Sequence, residues 1–381
     1  MKAILIPDRQ SDFTADPVEL FFDLAYVFVF SQLVGMLVHH PDWATVRDAG
    51  LLLVMMWLPW TQFTWSANAV AGNTRPVRLI FLVATVASIP MGASVTTALG
   101  DGGLVFAVSL SVIMTIALIT MFLGVADETE VRRSLLTWSL PTLIAMVVMI
   151  GGALASGGTR QVIWVAAMVI VVYGTVQAGK TEWLVRPGHF AERHGLIVIV
   201  ALGEVIVAIG AAVTHSFEDG HGLSANLLTA LIAAGTLACL CWWSYFDRPS
   251  HTIERQHVQV QNPVSRARFA RDVYTYAHLP LVAGVIATAV GLEGLALHPS
   301  QPVGTAFRVL LIAGLATFLV SIVIEVRRAL GVWAYERIAG AAALVLLGLV
   351  SRSLDGIVLL AAIDGVVLMM LVAEHRRIES A

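Results

Sequence analysis

Residues 193 to 210 read Arg193-His194-Gly-Leu-Ile-Val-Ile-Val-Ala-Leu-Gly203-Glu204-Val-Ile-Val-Ala-Ile-Gly210, and this stretch decides the fold. After two polar residues the chain is apolar as far as Gly203, carries one carboxylate, and turns apolar again. A helical run from 194 to 214 rises about 1.5 Å per residue and so covers roughly the 30 Å of a bilayer's hydrocarbon core. Eleven further windows of the same kind lie outward from it, cut where Arg, Pro, Gly and Asp cluster. Together the twelve windows cover 18 to 39, 46 to 70, 77 to 98, 103 to 126, 133 to 155, 160 to 178, 194 to 214, 224 to 247, 271 to 293, 304 to 326, 333 to 350 and 354 to 374.

Composition agrees with this reading. Of the 381 residues 58% are hydrophobic and only 13% charged, against about a quarter charged in an ordinary soluble domain. Twelve spans of about 20 residues leave some 140 for loops and ends, too few for a separate soluble domain. A net charge of -3 supplies no basic field for a nucleic-acid partner, so that class is excluded. Cys239 and Cys241, the only cysteines, point about 200° apart on a helix and read as core residues. The first seventeen residues carry Asp8, Arg9, Asp12 and Asp16, and Glu19 and Asp23 interrupt the first apolar run. This departs from a cleaved signal, and the first helix is expected to stay in the mature protein.

Charge placement predicts the orientation. Nineteen of the 23 Lys and Arg fall on the N-terminal side of the membrane in this span assignment, leaving Arg47, Arg160, Arg308 and Arg352 on the other. Positive residues favour the cytoplasm, so both termini are expected there, with an even number of spans in a bacterial inner membrane. A duplication is also expected. Glu130-Val-Arg-Arg133 recurs as Glu325-Val-Arg-Arg328, Arg78 precedes Pro90 as Arg268 precedes Pro280, and Trp65-Ser66 matches Trp243-Ser244. The expected architecture is therefore all-α, a polytopic bundle of about twelve transmembrane helices. Its two parallel halves of six helices, 1 to 185 and 186 to 381, would be related by an axis along the membrane normal.

Acids and amides inside such spans carry the functional signal, because a carboxylate at the centre of a lipid-facing helix costs about 2.5 to 3.5 kcal/mol or more. Glu19 and Asp23 stand one helical turn apart on one face of the first span, with Gln32 about 14 Å beyond Asp23. The helix dipole accounts for Glu19 better than for Asp23, which lies a turn deeper. Glu204, about 15 Å past His194, falls near the midplane, where a carboxylate must be neutral or paired. Asn68 and Asp247 end the second and eighth spans beside tryptophans that fit an interfacial aromatic belt. His278, two residues before Pro280, is a proton-acceptor candidate beside an expected helix kink, and Asp364 lies deep in the last span. By depth Glu19, Asp23, Asn68, Arg193, His194, Asp247 and His278 group near the cytoplasmic side, with Glu204 deeper.

The strings Glu19-Leu-Phe-Phe-Asp23-Leu, the 193 to 210 segment and Tyr276-Ala-His278-Leu-Pro280 resemble the bacterial low temperature requirement A (LtrA) family. The resemblance runs over almost the whole chain and implies a multi-spanning bacterial membrane protein. Relatives more often read Gly-Glu-Ser where this chain has Gly203-Glu204-Val205, so a hydroxyl beside Glu204 is missing here. The family name records a growth phenotype and supplies no substrate.

The function these features favour is a proton-linked secondary transporter or permease for a small molecule. The alternative is a membrane-embedded enzyme acting on a lipid or apolar metabolite through an Asp/His acid-base cluster. A structural or sensory protein without turnover is a third class. The chain contains no dinucleotide, nucleophile-elbow, zincin or aspartate-rich magnesium motif, so no cofactor and no metal is expected. The expected partners are the lipid bilayer and a small-molecule or proton ligand, and assembly into a homo-oligomer is left open.

Overall fold

A computed structural model describes residues 14–70, 74–125, 129–218, 220 and 222–380. Asp8, Arg9 and Asp12, which entered the leader argument, lie outside the described residues. Each expected apolar window overlaps a helix, with ends that differ by up to a few residues: α1 (Pro17–His39), α2 (Trp43–Ala67), α3 (Arg75–Ala93), α4 (Gly103–Gly124), α5 (Thr129–Ala153), α6 (Gly157–Ala178), α7 (Pro187–Glu218) and α8 (Ala225–Phe246). After the short α9 (Pro249–Gln259) come α10 (Pro263–Phe269), a π-helical turn (Ala270–Tyr276), α11 (His278–Leu297), α12 (Thr305–Leu330), α13 (Tyr335–Val350) and α14 (Gly356–Glu379). Among the described residues the only strand-like pairing is an isolated bridge between Pro302 and Asp355. The protein is a polytopic helical bundle with the character of an integral membrane protein.

Ten helical segments are long and apolar enough to cross a membrane, α8 with α9 and α10 with α11 counting as one segment each. The two expected spans outside this group are α13, which has only 16 residues, and α2. Helix α2 is buried from Met55 to Thr64, so protein rather than lipid surrounds that stretch and its Thr61, Gln62 and Thr64 are tolerated. The short α9 was not expected from hydropathy, because its sequence Pro-Ser-His-Thr-Ile-Glu-Arg-Gln-His-Val-Gln is mostly polar.

The helices form two compact units. The first draws on Met1–Leu33, Arg47–Leu196 and Glu254–Thr275, the second on Val34–Val46, Ile197–Ile253 and Tyr276–Ala381. In the first, α3 packs on α4, α4 on α5 and α5 on α6. Phe22 of α1, Phe63 of α2 and Phe81 of α3 meet with ring centroids 4.6, 5.4 and 6.1 Å apart, an aromatic cluster joining three helices. At the opposite end of α5, the buried Arg160 of α6 closes the helix. Its guanidinium donates to the carbonyls of Ala153 at 3.1 Å, Ala155 at 3.0 Å and Ala98 at 2.9 Å, and also to Gly100. Carbonyls at a helix C-terminus have no intrahelical donor, and a cation also complements the negative end of the dipole.

In the second unit α11 packs on α12, α12 on α13 and α13 on α14, with α8 against α14 and α11. The contact between α11 and α12 is backbone on backbone. A Cβ at Gly284 would lie 2.6 Å from the Gly314 carbonyl, and one at Gly314 would lie 2.6 Å from the Gly284 carbonyl. Small residues substitute here for the hydrophobic drive that helices lack inside lipid. Pro280, beside which a kink was expected, lies in the first turn of α11, where its missing N–H is not needed, directly after the π turn at Ala270–Tyr276. Cys241 is buried as expected, but Cys239 is exposed; two positions on a helix cannot both face the core.

The close approach at Gly314 predicts that Gly314→Leu overpacks the α11–α12 seam. Thermal unfolding of the purified protein should show a loss of about 1 to 3 kcal/mol or more, whereas Gly210→Leu, at an exposed position with open space, should leave the melting profile unchanged.

Candidate functional site

Helix α7 starts at Pro187, two turns before the apolar window, since proline suits the first helical position. The extension places His189 and Arg193 one turn apart on one face, the spacing that Glu19 and Asp23 have on α1. The two pairs meet. His189 Nε2 lies 2.9 Å from Glu19 Oε2, Arg193 Nη2 donates to Asp23 Oδ1 at 3.0 Å, and Arg193 Nε lies 3.7 Å from Glu19 Oε2. A third helix joins through Trp60 of α2, whose indole N–H donates to Asp23 Oδ1 at 2.8 Å. The Arg193 guanidinium also sits 5.9 Å from the Trp60 ring centre, a cation–π contact. Glu19, Asp23, Trp60, His189 and Arg193 are all fully buried.

The charge count of this cluster is its main chemical property. Two carboxylates face one permanent cation, so neutrality requires one more proton, on His189 or on a carboxyl group. An uncompensated charge in a buried site costs several kcal/mol. The hydrogen bonding also leaves room for rearrangement: among the described residues Asp23 Oδ2 accepts no hydrogen bond and Arg193 Nη1 donates none.

Around the cluster lies an aromatic wall. His194 donates from Nδ1 to the Phe190 carbonyl at 2.9 Å, and its ring lies 5.0 Å from Trp60, 5.7 Å from Phe190 and 5.1 Å from Tyr274. Asn68 plays a positioning part: its amide donates to the Thr64 carbonyl at 2.8 Å and accepts from the Arg186 backbone N–H at 2.9 Å, holding the chain just before α7. Trp57 and Trp60 are not the interfacial rings expected, because both are buried and both indole N–H groups are engaged, Trp57 with the Thr275 carbonyl at 2.8 Å. Gln32 is half-buried in α1.

The remaining candidates belong to the second unit. Glu204 is fully buried in α7. His278 is buried between Tyr245, whose hydroxyl lies 2.7 Å from Nε2, and Glu325, whose Oε1 lies 3.1 Å from Nδ1. Asp247 is exposed, 3.4 Å from Arg248, at the charged mouth of a groove of about 440 Å³ whose apolar wall includes Leu240, Trp243 and Leu371. Asp364 is half-buried. Arg337 is buried and fully engaged, donating to Glu374 at 2.8 and 3.0 Å and to the Ser244 hydroxyl and carbonyl at 2.7 and 2.8 Å. Among the described residues no group of three or more His, Cys, Asp or Glu side chains could hold a metal ion.

Sequence reasoning missed His189, Trp60, Glu325 and Arg337. His189 lies outside the apolar window, and its signal was Pro187 as a helix start. Glu325 falls inside the 304 to 326 window, and the cost rule applied to Asp364 would have found it.

The fold and buried ionic network define a polytopic membrane protein of the helical class. The model of the bacterial low temperature requirement A protein (LtrA) family matches residues 14–373. An uncharacterized protein of Rhizobium meliloti (strain 1021) is 30% identical over 295 residues, which is 74% of this chain and 70% of that protein. No solved structure matches significantly. The chain belongs to the LtrA family, and the matched residues include Glu19, Asp23, Arg193, Glu204 and His278.

Proposed function

We propose that this LtrA-family protein is a proton-linked secondary transporter or permease for a small molecule. The observation that carries the reading is the buried cluster of Glu19, Asp23, His189 and Arg193, which must hold one proton beyond its fixed cation to be neutral. A site of this kind couples protonation to packing. Removing the proton leaves excess negative charge between α1 and α7, and the energetic relief is a rearrangement of the Arg193 pair or the entry of a cation or water.

Glu204, eleven residues beyond Arg193 on α7, is the second element of the reading. A carboxyl group at this depth in a span carries a proton in its neutral form and releases it when a cation or water approaches. Glu204→Gln mimics the protonated form at nearly constant volume. In vesicles reconstituted with the full chain, solute or proton flux should lose its pH dependence in this variant while insertion and folding persist. Full, pH-dependent flux in Glu204→Gln would remove Glu204 from the proton path.

The reading places the protein in the bacterial cytoplasmic membrane with both termini inside, supported by the 19 to 4 division of Lys and Arg. It also keeps the two six-helix halves, 1 to 185 and 186 to 381, as a parallel repeat. A reporter active only in the periplasm, fused after Ala381, should stay silent; strong activity would reverse the orientation.

A further inference from the structure

Three side chains from three helices of the second unit form a buried line of polar contacts that the cluster on α1 and α7 does not use. Tyr245 comes from α8, His278 from the first turn of α11 and Glu325 from α12. All three are almost completely buried, with Tyr245 at 2% exposure and the other two at 0%. The hydroxyl–imidazole separation is 2.7 Å and the imidazole–carboxylate separation 3.1 Å. Local sequence explains the convergence. The π turn at Ala270–Tyr276 resets the helical register just before His278, and the glycines at 284 and 314 let α11 approach α12 closely.

We propose that His278, held between Glu325 and the Tyr245 hydroxyl, is a proton-binding site in which imidazole and carboxylate together hold one exchangeable proton. The charged neighbours fix the count. Besides His278, the charge that acts on Glu325 is Arg337 from α13. Every Arg337 hydrogen bond goes to Ser244 or to Glu374 of α14. Glu374 therefore balances Arg337, and Glu325 is left to be balanced by a proton on itself or on His278.

The geometry also supplies a route for that proton. With neutral His278 protonated on Nδ1, the Tyr245 O–H donates to Nε2 while Glu325 Oε1 stands 3.1 Å from Nδ1. When a proton arrives on Nε2, the new N–H donates to the tyrosine oxygen and the hydroxyl hydrogen turns away. One hydroxyl rotation thus opens and closes the line, with no covalent bond changed except the N–H that forms. A permanent Glu⁻/His⁺ pair of purely structural use would not change protonation near neutral pH.

The proposal rests on the proton-linked reading for its use in transport, but proton binding is measurable without any solute. Infrared difference spectra of the full-length protein in lipid nanodiscs, taken between about pH 5 and about pH 8 to bracket the ordinary His pKa of about 6.5, should show a carboxyl and an imidazole changing protonation together. The carboxyl component that Glu325 contributes, read as the wild-type spectrum minus that of Glu325→Gln, should be present and should titrate together with an imidazole. In Tyr245→Phe, which keeps the ring and its packing, the signal should persist with its midpoint moved by about one pH unit, a tenfold change in proton affinity. Should Glu325→Gln fail to fold, the Tyr245→Phe midpoint decides. An unmoved midpoint, or a Glu325→Gln spectrum identical to the wild type, overturns the proposal. A pH-independent carboxyl in the wild type does so too. None of these outcomes bears on whether vesicles show flux, so the transport reading and this site fail separately.

Discussion

A buried charge without a partner is the constraint on which the rest of this structure depends. Inside a membrane protein neither water nor lipid can solvate a carboxylate, and the penalty of several kcal/mol per ion exceeds what any single packing contact returns. Glu19 and Asp23 on α1 therefore require donors, and α7 supplies them at the matching four-residue interval with His189 and Arg193. The requirement extends outward. Trp60 must present its indole N–H to Asp23, which fixes α2 against α1, and Asn68 must hold the Arg186 backbone, which fixes where α7 begins.

The second unit satisfies the same constraint by different means. His278 and Glu325 are an acid and a base at contact distance, and Arg337 and Glu374 form a separate balanced pair. Close helix packing makes this geometry available, since α11 and α12 touch through glycine backbones and not through bulky side chains. Ionic sites and small-residue seams thus support each other. The seam brings the helices near enough for His278 and Glu325 to stand 3.1 Å apart, and that contact favours one register of the seam.

Much of this was legible in the sequence, because hydropathy and cost are strong signals. Apolar windows located the helices, ten segments of which are long and apolar enough to cross a membrane, and the expense of an ionisable group in lipid singled out Glu19, Asp23, Glu204 and His278. What was illegible has physical reasons. A hydropathy window ends where polarity begins, so it cut α7 at His194 and hid His189, although the helix continues to Pro187 in protein rather than lipid. Tryptophans at span ends read as an interfacial belt, yet Trp60 is a hydrogen-bond donor in the cluster, a distinction that depends on lateral neighbours. The repeated letters sit in different settings. Glu130-Val-Arg-Arg133 opens α5 whereas Glu325-Val-Arg-Arg328 lies near the end of α12, and in the second string the acid is a buried partner of His278.

The central claim is that the α1 and α7 charges act as one interdependent unit. A double-mutant cycle on Asp23→Asn and Arg193→Gln, read by reversible unfolding of the full chain in lipid micelles, tests it most directly. Each single change strands a buried charge and should cost about 3 to 5 kcal/mol, while the double neutral variant should cost clearly less than the sum of the two. Additive losses would show that the two residues contribute independently, and the account built on their pairing would be wrong.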